Sequence, residues 1–229
     1  MSRRMFFVMA VLVLLIACSS FLTAETNVLS SKFQYGMSSA GEYGAWTVQN
    51  NRLYQTDTDE KLAKVNFRAA QKGLVQYTFD VRYEGGGFID RMGGFGIQVF
   101  VNDAFKGKSW GNGESFLLWL NYDENPSYGK AGFRAQVYQS FGHSRMELID
   151  GYDIPLNPAV LTAANMDLVI PVKIQIDGDT GLVKVWDPTR EGMYVRFYLN
   201  EAPGEGNFVS LRTNSLAVSF DNLMVTQLD

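Results

Sequence analysis

From residue 44 onward, apolar and polar residues alternate with a period of two and are punctuated by glycine, asparagine and aspartate, the pattern of half-buried antiparallel strands. In Gly73 to Tyr83, Val75, Tyr77, Phe79, Val81 and Tyr83 share one face, and Gln76, Thr78, Asp80 and Arg82 share the other. Gly85-Gly86-Gly87 stops this strand, because consecutive glycines carry the highest entropy cost of ordering. Ile97, Val99 and Val101 alternate with Gln98, Phe100 and Asn102; Phe116, Leu118, Leu120 and Tyr122 with Leu117, Trp119 and Asn121; Phe133, Ala135 and Val137 with Arg134, Gln136 and Tyr138. Val172, Ile174 and Ile176 lead into Asp177-Gly178-Asp179-Thr180-Gly181, a hairpin turn from which Leu182 to Trp186 returns. Tyr194 to Leu199, Phe208 to Arg212 and Leu216 to Val225 follow, and Trp46 to Val48, Arg52 to Gln55, Leu62 to Arg68 and Met146 to Ile149 complete a set of about a dozen strands. So many strands in one domain close into two packed sheets or a barrel. Only Pro158 to Ala164 predicts a helical turn, with Asn157 as its cap and Pro158 in the first position.

The N-terminus has another character. Arg3 and Arg4 precede an apolar run from Met5 to Ala17, shorter than the roughly 20 residues that cross a bilayer. Residues 1–24 read as a secretory signal peptide. Two cleavage signals overlap in it. Leu15-Ile16-Ala17-Cys18 resembles a bacterial lipobox, which would make Cys18 the lipidated first residue, whereas Leu22-Thr23-Ala24 before Glu25 suits ordinary signal peptidase. Both predict export to the periplasm, the cell surface or the medium, and a membrane would be met only through a lipid anchor on Cys18. Residues 25–43, rich in Ser, Gly and Asn, read as a linker or edge segment, and 44–229 as one β-domain.

Composition narrows the chemistry. Twenty Lys and Arg against 24 Asp and Glu give a net charge of −4, and loss of Arg3 and Arg4 with the leader makes it −6. That balance offers no electrostatic reason to bind nucleic acid. One Cys and one His exclude an internal disulfide framework, a Cys-based zinc site and the usual His-dependent catalysis.

Several segments, taken in order, resemble the concanavalin A-like lectin/glucanase superfamily, in particular its laminin-G-like and 3-keto-disaccharide-hydrolase-like branches. They are Trp46-Thr47-Val48-Gln49-Asn50-Asn51-Arg52-Leu53, the strand ending Phe79-Asp80-Val81-Arg82-Tyr83, the Val172 to Trp186 hairpin, Phe208-Val209-Ser210-Leu211-Arg212, and Val218-Ser219-Phe220-Asp221-Asn222-Leu223. The resemblance implies an all-β fold, a two-sheet antiparallel jelly-roll sandwich over roughly residues 44–229. It does not by itself imply an activity.

Glycan-cleaving members carry two carboxylates on one strand face, about 5 Å apart. Here Glu147 and Asp150 are offset by three and fall on opposite faces, and Gly151 separates Glu147 from Asp153, so no catalytic residue is assigned. Glycan-binding members use a face of flat rings and hydrogen-bonding groups. Trp119, Asn121, Arg134, Gln136 and Tyr138, with Gln98 and Asn102, form such a face if their strands are neighbours; the alternative is a second apolar layer in which Trp119 and Phe100 lie under a loop. Trp110, among small and polar residues and beside Lys106 and Lys108, is either a contact residue or a ring folded over the sheet rim.

Calcium is the metal that the resemblance implies, with Asp221 as the candidate ligand; Asp57, Asp59, Asp177 and Asp179 also offer oxygens but sit where aspartates bond their own backbone. His143 lies in a hairpin turn with no acid or nucleophile near it in sequence, which favours a structural role. Two readings follow: a non-catalytic carbohydrate-binding module of the bacterial cell envelope, or an assembly protein whose aromatics anchor an envelope partner. A glycoside hydrolase-like enzyme is a third, lacking a carboxylate pair.

Overall fold

The computed structural model describes residues 25–87, 93–123, 132–155 and 168–228. In chain order its strands are β1 (Glu25–Ser31), β2 (Gly41–Tyr43), β3 (Trp46–Gln49), β4 (Arg52–Gln55), β5 (Ala63–Gln71), β6 (Leu74–Gly86), β7 (Gly94–Val101), β8 (Glu114–Asp123), β9 (Gly132–Phe141), β10 (Met146–Pro155), β11 (Ile170–Asp177), β12 (Leu182–Trp186), β13 (Tyr194–Tyr198), β14 (Gly206–Asn214) and β15 (Leu216–Leu228). They form two antiparallel sheets. One runs β13-β12-β11-β6-β15-β4-β3, with β1 also paired to β15; the other runs β10-β9-β8-β7-β14-β5-β2. The segment 25–43 thus contributes β1 and β2, and the expected helical turn at Pro158 to Ala164 lies outside the described residues.

Alternation sorts the side chains between the sheets as the pattern requires. Val75, Tyr77, Phe79 and Val81 of β6 meet Ile97 and Val99 of β7 and Val209 and Leu211 of β14 in one core. Phe220 of β15 sits among Trp46, Phe79 and Phe95, with ring centroids 6.3, 6.0 and 6.3 Å away. Fully burying one such side chain stabilises the fold by about 1.5–3 kcal/mol.

In β7 one residue breaks the alternation. Phe100, expected on the face of Gln98, turns into the core because its backbone adopts φ 53°. A buried polar knot holds that conformation. The Gln71 carbonyl oxygen accepts the Phe100 N–H (2.9 Å) and the Tyr77 hydroxyl (2.8 Å), while the Gln71 amide donates to the Phe208 carbonyl (2.7 Å). Gly206 packs so close that a Cβ there would stand 2.4 Å from Phe100 Cα, so no other residue fits.

The outer face of the second sheet is half covered. Segment 102–113, between β7 and β8, folds back over β14, β5 and β7, and polar side chains anchor it. Arg212 Nη1 donates to Gln98 Oε1 (2.9 Å) and to the Trp110 carbonyl (2.9 Å), and its Nη2 to the Ser109 carbonyl (3.0 Å). Asn112 Nδ2 donates to Asn66 Oδ1 and Ser210 Oγ, both at 2.9 Å, and Asn112 Oδ1 accepts the Phe105 N–H at 2.8 Å. Lys64 Nζ donates to Ser109 Oγ and lies over the Phe105 ring. His143 closes the far side: its Nδ1 accepts the Gly113 N–H (3.2 Å), its Nε2 meets Asp103 (3.2 Å), and its ring stacks on Phe105. The acid that sequence order did not place near His143 therefore comes from the loop, and the role is a latch.

Burial pushes Lys64 down to about 7, with the Arg212 charge adding to the effect. Between that value and its ordinary 10.5, the unfolded chain binds the proton that the folded chain has released, so stability rises with pH across this window and is flat below it. Tm is expected to increase from pH 7 to pH 9, and Lys64→Met to abolish the increase; a series of thermal melts reads both. Gln71→Ala strands the Tyr77 hydroxyl, the Phe100 N–H and the Phe208 carbonyl, and is expected to cost roughly 3 kcal/mol or more in a denaturant titration. A loss under 1 kcal/mol would show that the knot does not hold the bulge.

Candidate functional site

Beyond the folded-back loop, the outer face of β8, β9 and β10 is open among the described residues. Register brings the expected residues together there. Trp119 lies opposite Gly96 of β7 and Gln136 of β9, and Asn121 opposite Gly94 and Arg134. The two glycines form a floor for the indole: a Cβ at Gly94 would stand 2.5 Å from Trp119 Cζ2, and one at Gly96 3.0 Å from Cε3. The ring therefore lies across β7, half-buried, with its other side outward.

Beside it runs a chain of polar contacts. Arg134 Nε donates to Asp153 Oδ1 (2.7 Å) and Nη2 to Oδ2 (3.0 Å), a fork that matches the carboxylate's geometry. Gln136 Nε2 donates to the same Oδ1 (3.1 Å), and the Tyr138 hydroxyl donates to Gln136 Oε1 (3.0 Å). Arg134 is 9% exposed, so its charge is held at the base of the face while Asp153 stays partly open to solvent. The Arg134 hydrogen bond keeps the Asp153 carboxyl below the usual carboxylate range, with Gln136 helping. Burial, and then the Asp153 charge, push the Tyr138 hydroxyl up. Both groups hold their usual protonation at neutral pH, so the face offers fixed donors and acceptors.

Trp110 combines the two roles that its sequence setting left open. Its indole N–H donates to the Met146 carbonyl (2.7 Å) and its ring meets Tyr138 edge-on at 6.0 Å, which folds it over the sheet rim, yet 39% of its surface stays exposed. Gln98 and Asn102 do not join the face. Gln98 is buried beneath the loop, and Asn102 is engaged with Glu114 at the loop's start.

Asp153 is the member that sequence reasoning missed. Gly151 does not end β10: it takes φ 84° inside the strand, and the register slips between Leu148 and Asp153 so that Asp153 lands opposite Gln136. An acid two residues beyond a strand glycine was the available signal, since such a glycine marks a bulge as readily as a stop. Glu147 is exposed and tied to Arg145 at 2.7 Å, and Asp150 is exposed.

Asp221 faces a guanidinium: Arg52 Nη1 stands 3.8 Å from its carboxylate, and the Asn222 N–H bonds Oδ1 at 2.7 Å. Asp177 is occupied by the Thr180 hydroxyl and the Asp179 N–H, and Asp57 by the Asp59 N–H. Among the described residues no three His, Cys, Asp or Glu gather closely enough to hold a metal ion. These surroundings do not fit calcium, which takes six to eight oxygens. Cys18 lies outside the described residues.

No family model matches the chain, and no curated protein does. Solved structures are similar to it. The carbohydrate binding module CBM66 from Bacillus subtilis is 14% identical, with 89% of this chain and 95% of that one covered at a TM-score of 0.52. The CBM2 module of the evolved Dit of Lactobacillus casei BL23 phage J-1 is 10% identical, with coverage of 90% and 97% and a TM-score of 0.58. The Emp47p carbohydrate recognition domain is 13% identical, with 92% and 99% covered and a TM-score of 0.52. Identities this low speak for the fold alone, a two-sheet antiparallel jelly-roll sandwich.

Proposed function

We propose that this chain is an exported, non-catalytic carbohydrate-binding module of the bacterial cell envelope, holding its glycan on the outer face of β8–β10. The observation that carries this reading is the half-buried Trp119 ring lying on its glycine floor beside the Arg134–Asp153–Gln136–Tyr138 chain. A sugar ring has an apolar face of C–H groups and a rim of hydroxyls. The indole matches the first, and the carboxylate, amides and phenol match the second. Because their mutual hydrogen bonds already fix these side chains, little rotamer freedom is lost on binding.

Three further points support it. Neighbours in fold include a carbohydrate binding module and a carbohydrate recognition domain. Asp153, held ionised by Arg134, has no proton to give a leaving group at neutral pH, which argues against the general-acid role in glycoside cleavage. The apolar stretch behind Arg3 and Arg4 is what an exported protein needs. The assembly reading calls for a flat apolar patch around Trp110 or an uncovered sheet edge; the Trp110 ring borders the polar chain through Tyr138, which speaks against the first of these.

A glycan-array screen of the purified protein, with Trp119→Ala as the control, tests the proposal. Binding is expected in the parent and is expected to fall by tenfold or more in the variant, which should still fold, since losing a half-buried ring costs about 1–2 kcal/mol. Undiminished binding by the variant would place the ligand elsewhere, and silence across the array would favour the assembly reading. Chelation by EDTA is expected to leave binding unchanged, because Arg134 already supplies the positive charge facing Asp153.

The pH profile follows from the same pair. A carboxyl whose folded value is depressed keeps its contribution above the ordinary 3.8 and loses it as pH falls through the lower folded value. Affinity is therefore expected to be level from pH 7 to about pH 4.5 and to fall only on stronger acidification. A fall centred near pH 6 would contradict the role given to Asp153.

A further inference from the structure

The opposite sheet carries an unassigned surface on the outer face of β11, β12 and β13. Inward positions there, Ile174, Ile176 and Val183, are core residues. Outward positions form a grid fixed by register. Trp186 pairs with Tyr194, Lys184 with Gln175 on one side and Arg196 on the other, and Leu182 with Tyr198. Lys173 Nζ lies 4.6 Å from the centre of the Trp186 ring, and Lys184 Nζ lies 5.6 Å from that of Tyr194. The two rings touch at 5.4 Å. Attraction to the ring faces thus holds two ammonium groups in place on a rigid sheet.

The charges are unbalanced. Lys184 and Arg196 are direct cross-strand partners, a like-charge arrangement that costs stability. Lys173, Lys184 and Arg196 have no carboxylate partner among the described residues. Of the acids bordering the patch, Asp187 is engaged with Thr189 and Arg190, Asp177 with Thr180 and Asp80 with Asn222, while Glu191 and Asp179 stand in the turns at either end of β12. On a chain of net charge −4, a cationic grid with exposed Tyr194 and Tyr198 beside it is an exception that calls for an anion.

We propose that this outer face of β11–β13 is a second binding surface and that its ligand is an acidic polysaccharide, one bearing carboxylate or sulfate groups on its sugars. Cations spread over three strands match the negative groups carried along such a chain. Ammonium groups lie over the Trp186 and Tyr194 rings, which leaves Tyr198 as the exposed ring beside them. Anionic lipid would use the same charges together with the apolar side chains exposed beside them, Met193 and Val195, and is the competing occupant that the vesicle measurement below separates.

The surface is distinct from the Trp119 face, and one experiment separates the two. Affinity electrophoresis of the protein through polygalacturonate, heparin and neutral dextran is run at low salt and at high salt. Retardation is expected in polygalacturonate or heparin, absent in dextran and lost at high salt. The double variant Lys184→Gln with Arg196→Gln is expected to weaken it by about tenfold or more while melting at or above the parent temperature, since a repulsion has been removed. Trp119→Ala is expected to leave it intact even though the neutral-glycan site is lost. Equal retardation of the double variant would overturn the proposal. So would tighter binding to phosphatidylglycerol vesicles or single-stranded DNA than to either acidic polysaccharide.

Discussion

A buried guanidinium decides which part of this sandwich can touch another molecule. Arg212 points outward from the middle of a sheet, where a long cation would ordinarily reach solvent, and the backbone carbonyls of Ser109 and Trp110 meet it together with Gln98. Burial lowers its value to about 10, so it remains charged at neutral pH, and a buried charge must be satisfied by hydrogen bonds or it is prohibitively costly. The loop supplies them. Once seated there, it closes the faces of β14 and β5, carries Trp110 to the rim against Tyr138, and leaves β8–β10 as the open half.

The open half is shaped by what is missing from its neighbour as much as by its own side chains. Gly94 and Gly96 leave β7 without side chains where the Trp119 indole crosses it, so a large aromatic lies flat in a sheet that would otherwise stand it upright. Arg134 plays the part on this side that Arg212 plays on the other, as a cation near the sheet surface, but its partner is a carboxylate that reaches solvent. One arginine therefore closes a surface and the other presents one. The outer face of β11–β13 follows a third pattern, with cations supported on rings and no carboxylate paired with them among the described residues.

Much of this was legible in the sequence because period-two alternation records burial directly. The inward set of β6, the β11–β12 hairpin and the outward set Trp119, Asn121, Arg134, Gln136 and Tyr138 all follow from it. Where alternation failed, a backbone irregularity was the cause. Phe100 turns inward at a left-handed residue stabilised by Gln71, a partner far along the chain, and Asp153 reaches Gln136 only because Gly151 shifts the register of β10. Coverage of the outer face was likewise invisible: that Lys64, Asn66, Gln98 and Arg212 lie beneath a loop depends on long-range contacts between polar residues, which carry no periodic signal. The loop acid Asp103 reached His143 by the same route.

The four tryptophans provide a built-in readout of where a ligand sits, since Trp119 and Trp110 border the open face of β8–β10, Trp186 lies in the opposite sheet, and Trp46 packs against the core. The most direct measurement follows the four indole N–H resonances by two-dimensional NMR while the neutral glycan selected on an array is titrated in. If the β8–β10 face is the binding site, Trp119 shifts most and Trp110 with it, while Trp46 and Trp186 stay in place. Shifts confined to Trp186 or Trp46, or binding that moves none of the four, would contradict it.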